Sequence, residues 1–127
     1  EALLRTGHAD EAAELVTKVR ERNFTEHPAK AIVTGEQLQE TSCYDYGRRD
    51  NVKSTHDHAI IQYGRMLDEL GWEFSQEGRR RQDMVRFGVF STRSWFSHDA
   101  SSKEKNLYPI PNSQILTNPN LKQNPGY

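Results

Sequence analysis

The sequence predicts a mainly α protein: a tetratricopeptide-like helical hairpin, a loop-rich irregular region, and an extended Pro/Asn-rich C-terminal strap. Three observations carry this expectation. Apolar residues recur at helical spacing in residues 11–23 and again from about residue 57. Prolines and glycines interrupt the stretch between them. Four of the five prolines fall in the last twenty residues, together with four asparagines (118, 120 and 124 among them).

Taken in order, Glu1–Arg5 reads as the second half of a helix already under way, which suggests a piece of a longer protein, with Gly7 as that helix's stop. Asp10 suits an N-cap, and Glu11 and Glu14 sit near the positive end of the next helix dipole. Ala12, Leu15, Val16 and Val19 then form an i, i+3, i+4, i+7 stripe, and residues 1–23 make the end of a helical hairpin. One half-repeat does not establish an array, because no self-similarity at about 34 residues follows.

Residues 24–56 form a variable loop region broken by Pro28, Gly35 and Gly47, with one turn of helix possible at Gln37–Glu40. Residues 57–88 carry helices. Ile60, Tyr63, Leu67, Leu70 and Phe74 predict a seam from about residue 57, and a shorter helix over 79–87 turns Met84 and Phe87 inward. Trp72 lies off that seam, where it can pack against the strap or another subdomain. Residues 89–127 are loop and strap. Proline removes backbone donors and disfavours regular helix here. Tyr108, Ile110, Ile115, Leu116, Leu121 and Tyr127 are the anchors that would pin such a strap to the body, which a disordered tail would not need.

Composition narrows the function classes. Hydrophobic residues make up 34%, and adding the eight glycines still leaves the chain below the roughly 45–50% apolar-plus-Gly content of typical domains. The core is therefore thin, or part of the surface it packs against lies elsewhere. A formal net charge of -1 gives no general attraction to nucleic acid. The single cysteine, Cys43, excludes an internal disulfide and a Cys-based zinc knuckle. No stretch approaches the roughly 20 apolar residues of a membrane-spanning helix.

Arg79, Arg80 and Arg81 could suggest an anion site, but consecutive helical positions diverge by about 100° and cannot form one patch. The structural alternative is an ion-pair network of Glu77, Arg79, Arg80 and Asp83, with Glu73 within reach. His56 and His58, near Cys43 and Asp45, could be read as metal ligands; no further ligand sits at a recognised spacing, and no metal site is expected. No local signature of a serine or cysteine nucleophile is present. Tyr44, Tyr46 and Trp95 are the candidate ligand-binding residues, since an aromatic face matches the C–H face of a sugar ring; Arg48, Asp50 and Asn51 could bond hydroxyls. Their alternative role is plugging a core.

Two stretches together resemble a known family. Leu107-Tyr108-Pro109-Ile110-Pro111, followed by Asn118-Pro119-Asn120-Leu121-Lys122-Gln123-Asn124-Pro125-Gly126-Tyr127, is similar to the C-terminal signature of SusD/RagB proteins. Leu67-Asp68-Glu69, Gly71-Trp72-Glu73-Phe74 and the run Glu77 to Gly88 are similar to that family's acidic-helix, Glu-Gly-basic hallmark. Thr17 to Arg22 is similar to its helix before a variable insert, while residues 24–58 match nothing in it. The resemblance implies the C-terminal part of a cell-surface, outer-membrane lipoprotein of Bacteroidetes-type bacteria, membrane-attached only through a lipid on a missing N-terminal part. Its implied partners are a TonB-dependent SusC-like transporter and an oligosaccharide or other nutrient. It implies no catalysis and no cofactor. A helical-repeat protein–protein scaffold is the alternative from another class, and the sequence does not name a ligand.

Overall fold

The computed structural model describes residues 1–42, 59–94 and 99–127. Among these the chain is mainly helical, as the sequence predicts, with no strand. The six α-helices are α1 (Ala2–Arg5), α2 (Ala9–Glu21), α3 (Gly35–Gln39), α4 (Gly64–Glu73), α5 (Arg80–Arg86) and α6 (Asn112–Thr117).

The hairpin of α1 and α2 forms because Gly7 adopts φ +90°, a left-handed conformation that costs little without a Cβ. The His8 N–H donates to the Leu3 carbonyl at 2.9 Å and the Gly7 N–H to Leu4 at 3.3 Å, the paired bonds of a Schellman stop. Gly88 ends α5 in the same way: its N–H donates to Val85 at 3.0 Å, and the Val89 N–H donates to Met84 at 2.9 Å. The N-cap of α2 is His8 rather than Asp10, which lies inside the first turn.

Gly35 does not break structure as expected; it opens α3. Thr34 and Gln37 form a capping box, each side chain bonding the other's backbone N–H, at 3.2 Å and 3.0 Å. The missing side chain at Gly35 lets α3 approach α2, since a Cβ there would stand 2.8 Å from the Ala9 carbonyl carbon.

The seam helix begins later than the spacing predicts. Tyr63 takes a left-handed φ of 56°, so α4 starts only at Gly64. Ile60 consequently lies outside the helix and is 81% exposed, and Ile61 is the buried residue. Gly64 packs directly on the chain at Thr41 and Ser42, where the Arg65 N–H also donates to the Glu40 carbonyl at 3.1 Å.

Two apolar clusters make the core. Leu4, Ala12, Ala13, Val33, Leu38 and Met66 join α1 to α4; Ile61, Leu67, Met84 and Val89 join α4 to α5. Arg86 fastens α1 to α5 by forking onto Glu1, at 2.6 and 2.8 Å, while also holding Asp83 at 2.7 Å. Burial raises the pKa of the Glu1 carboxyl, but bonds from Arg86 and Arg5 outweigh this and hold it below the usual carboxylate range.

The C-terminal strap is not extended throughout, because α6 fits between Pro111 and Asn118. Proline at the N-cap is no obstacle there: the first helical N–H groups have no intrahelical partner in any case. The strap's anchors are less buried than expected, with Tyr108, Leu116 and Tyr127 exposed and Ile110, Ile115 and Leu121 half-buried. Polar side chains hold it together instead. Gln123 accepts from the Ile110 N–H and donates to its carbonyl, both at 2.8 Å, and the Tyr127 hydroxyl donates to the Leu107 carbonyl at 2.8 Å.

Gly64→Ala forces a Cβ to within 2.1 Å of the Ser42 backbone nitrogen, which no rotamer relieves. Thermal unfolding of this variant is expected to show a loss of about 1–3 kcal/mol, the usual range for overpacking.

Candidate functional site

A concave trough of about 400 Å³ lies between α2 and α4. Its apolar walls come from Leu15, Val16, Val19 and Phe24 on one side and Met66, Leu70, Trp72 and Phe74 on the other. The expected α2 stripe is thus split. Ala12 and Ala13 are buried and Val16 half-buried, whereas Leu15 is 53% and Val19 42% exposed. The alanines take the core because their small side chains let α1 and α3 approach.

Charged groups tie the trough together. Arg20 reaches across to Glu69, donating to both carboxylate oxygens at 2.9 and 3.0 Å, and Arg65 meets the same carboxylate at 2.7 Å. Arg20 also bonds the Ala31 and Lys30 carbonyls, each at 2.8 Å. Nearer the helix C-termini, Arg22 pairs with Glu73. Trp72 is 40% exposed, with the Arg65 guanidinium 4.6 Å from its ring centre. It lines the trough. Apolar walls with internally paired charges favour an apolar occupant over an ionic one.

The predicted ion-pair residues lie beside this trough with different partners. Arg79 stacks on Phe74, with its guanidinium carbon 4.5 Å from the ring centre. Arg80 donates to the Leu67 carbonyl at 2.8 Å. Arg81 donates to the Lys105 and Asn106 carbonyls at 2.9 and 3.1 Å and lies 3.9 Å from the Tyr108 ring centre. The three arginines thus go three ways, as their 100° divergence requires. Asp83 is buried and pairs with Arg86, while Glu77 is exposed and supplies a backbone bond to Phe74. Among the described residues, Glu1, Glu69 and Glu73 are carboxylates that pair with arginines across the fold.

Tyr44, Tyr46 and Trp95 lie outside the described residues, as do Cys43, Asp45, Arg48, Asp50, Asn51, His56 and His58. Among the described residues no group of three His, Cys, Asp or Glu side chains is placed to hold a metal. No helix of the described residues is long and apolar enough to cross a membrane.

Comparison with known proteins gives a relative from Bacteroides thetaiotaomicron, "Starch-binding protein SusD", 41% identical over an alignment of 87 residues. Over the matched residues this chain is similar to that relative. The match covers 62% of the chain but 16% of that relative's length. No protein-family model matches, and neither does any solved structure. The trough residues Leu15, Val19 and Phe24 are the ones sequence reasoning assigned elsewhere or passed over. The available signal was the width of the α2 stripe, which holds more apolar residues than one packed face uses.

Glu69→Ala removes the carboxylate shared by Arg20 and Arg65, both of them half-buried. A loss of about 3–5 kcal/mol is expected in denaturant unfolding, as when one member of a buried pair is removed. Alanine substitution of the three arginines should give three outcomes. Arg79→Ala, at an exposed stacking site, changes stability by at most about 1 kcal/mol. Arg80→Ala lowers the melting temperature. Arg81→Ala speeds hydrogen exchange selectively in residues 103–127.

Proposed function

We propose that this chain is the C-terminal part of a longer cell-surface lipoprotein that binds starch-like or other glycans without chemically altering them. The observation that carries the reading is the 41% identity to a protein described as starch-binding. The two ordered motifs, the Glu77–Gly88 run and the strap from Leu107 to Tyr127, support the same reading.

The local architecture agrees with a scaffolding role for this part of the protein. Its arginines and buried carboxylates are engaged in holding helices and strap together, as at Arg20–Glu69 and Arg86–Glu1. In the proposed whole protein, the membrane attachment is a lipid on the N-terminal part, the location is the outer-membrane surface, and captured glycan passes to a TonB-dependent SusC-like transporter. Tyr44, Tyr46 and Trp95 remain the proposed sugar-stacking residues within this chain.

Calorimetric titration of the full-length protein with maltooligosaccharides and a panel of other glycans tests this. Binding is expected with no released product in chromatography of the mixture. Hydrolysed glycan, or no binding to any glycan together with tight binding to a soluble protein, would replace the reading with an enzyme or a scaffold.

A further inference from the structure

The trough has a direction as well as a composition. Helices α2 and α4 run the same way: Ala12, Ala13 and Met66 share a core cluster at their beginnings, and Arg22 meets Glu73 at their ends. Helix α1 runs the opposite way beside them, while α3 packs against both α2 and α4. It is joined to α2 by the short turn at Thr6–His8, and Arg5 lies 5.4 Å from the Tyr63 ring centre at the foot of α4. Leu4 of α1 fills the lower part of the gap, packing with Ala12, Ala13 and Met66. Above Glu1 the gap continues as the open trough, bounded by Leu15 and Val19 on α2 and by Leu70 and Trp72 on α4.

We infer that this trough is the seat of a helix from the longer protein, in line with α1 and antiparallel to α2 and α4, presenting an aliphatic face to Val19, Leu70 and Trp72. The inference rests on the reading that the chain is part of a longer SusD-like protein, whose relative extends well beyond the matched 16%. The distance from Ala13 to Arg22 along α2 corresponds to about 14 Å, so roughly nine helical residues would fill the trough. Antiparallel neighbours are what a short helix–helix connection produces, and a third helix in the gap converts two separated helices into a packed layer. The paired rim charges suit this occupant. Arg20, Arg22, Arg65, Glu69 and Glu73 already satisfy one another, so an incoming apolar face strips no lone charge of water.

Cysteine accessibility tests the docking separately from glycan binding. Val19→Cys is introduced into the 127-residue chain and into the full-length protein, and N-ethylmaleimide labelling is followed by mass spectrometry after cleavage at glutamates. Ser113→Cys on exposed α6 serves as the reference. Labelling at position 19 is expected to be at least about ten-fold slower in the full-length protein, with position 113 unchanged, because a packed site reacts only on local opening. Leu15→Cys gives the same comparison should the first variant fail to fold. Equal rates in the two proteins would overturn the inference. So would protection appearing only on addition of maltooligosaccharide, which would make the trough a sugar site. Protection that grows with concentration in the 127-residue chain alone would assign the trough to a second copy and overturn it too. Protection without any glycan binding keeps the docked helix and removes the proposed function.

Discussion

Arg20 sets the separation on which the rest of this fold depends. Its guanidinium spends Nη1 on Glu69, Nη2 on the Lys30 carbonyl and Nε on the Ala31 carbonyl. A planar fork with five donors can serve three acceptors in fixed directions, which a lysine ammonium could not do with the same rigidity. One side chain therefore holds α2 to α4 and fastens the end of the 3-10 turn Pro28–Lys30, through the Lys30 and Ala31 carbonyls, to the same point. Because α2 and α4 meet here through long polar side chains and not through aliphatic ones, they stand apart, and the trough is the result.

Close backbone approach sets the complementary constraint. Gly35 and Gly64 each open a helix where another stretch of chain passes too near for a Cβ. Thr17 adds to this by accepting from the Val33 N–H at 3.1 Å, drawing the segment before α3 onto α2. The thin core thus works through short-range fits at a few glycines, alanines and threonines, in addition to large apolar side chains. In the strap the same economy takes another form. Pro109, Pro111 and Pro125 cannot donate, so Gln123, Asn124 and Tyr127 supply the bonds a strand partner would give.

The helical class, the hairpin stop at Gly7 and the helix over 80–86 were legible because each depends on local chemistry: periodicity, a left-handed glycine, an apolar face. The start of α4 was not, since a left-handed Tyr63 is imposed by packing against α1 and no residue type announces it. The partners of Arg79, Arg80 and Arg81 were equally hidden. Spacing showed that they must diverge, but the acceptors at Leu67, Lys105 and Asn106 come from elsewhere in the chain. The Thr34–Gln37 capping box was readable in principle and was masked by the expectation that Gly35 ends structure.

The low apolar content takes on a different meaning once the residues are placed. A chain with 34% hydrophobic residues might be expected to bury nearly all of them, yet Leu15, Val19, Ile32, Ile60, Leu107 and Leu116 are exposed. Scattered exposed apolar residues are ordinary on any surface. Leu15 and Val19 differ because they share one wall of a single groove that faces Leu70 and Trp72. Completing the burial of two such half-exposed side chains is worth about 1 kcal/mol each, a noticeable fraction of the stability of a domain this size. The chain therefore holds apolar surface that its own core does not use, and the geometry of α1, α2 and α4 limits what can cover it to a narrow element running along the trough.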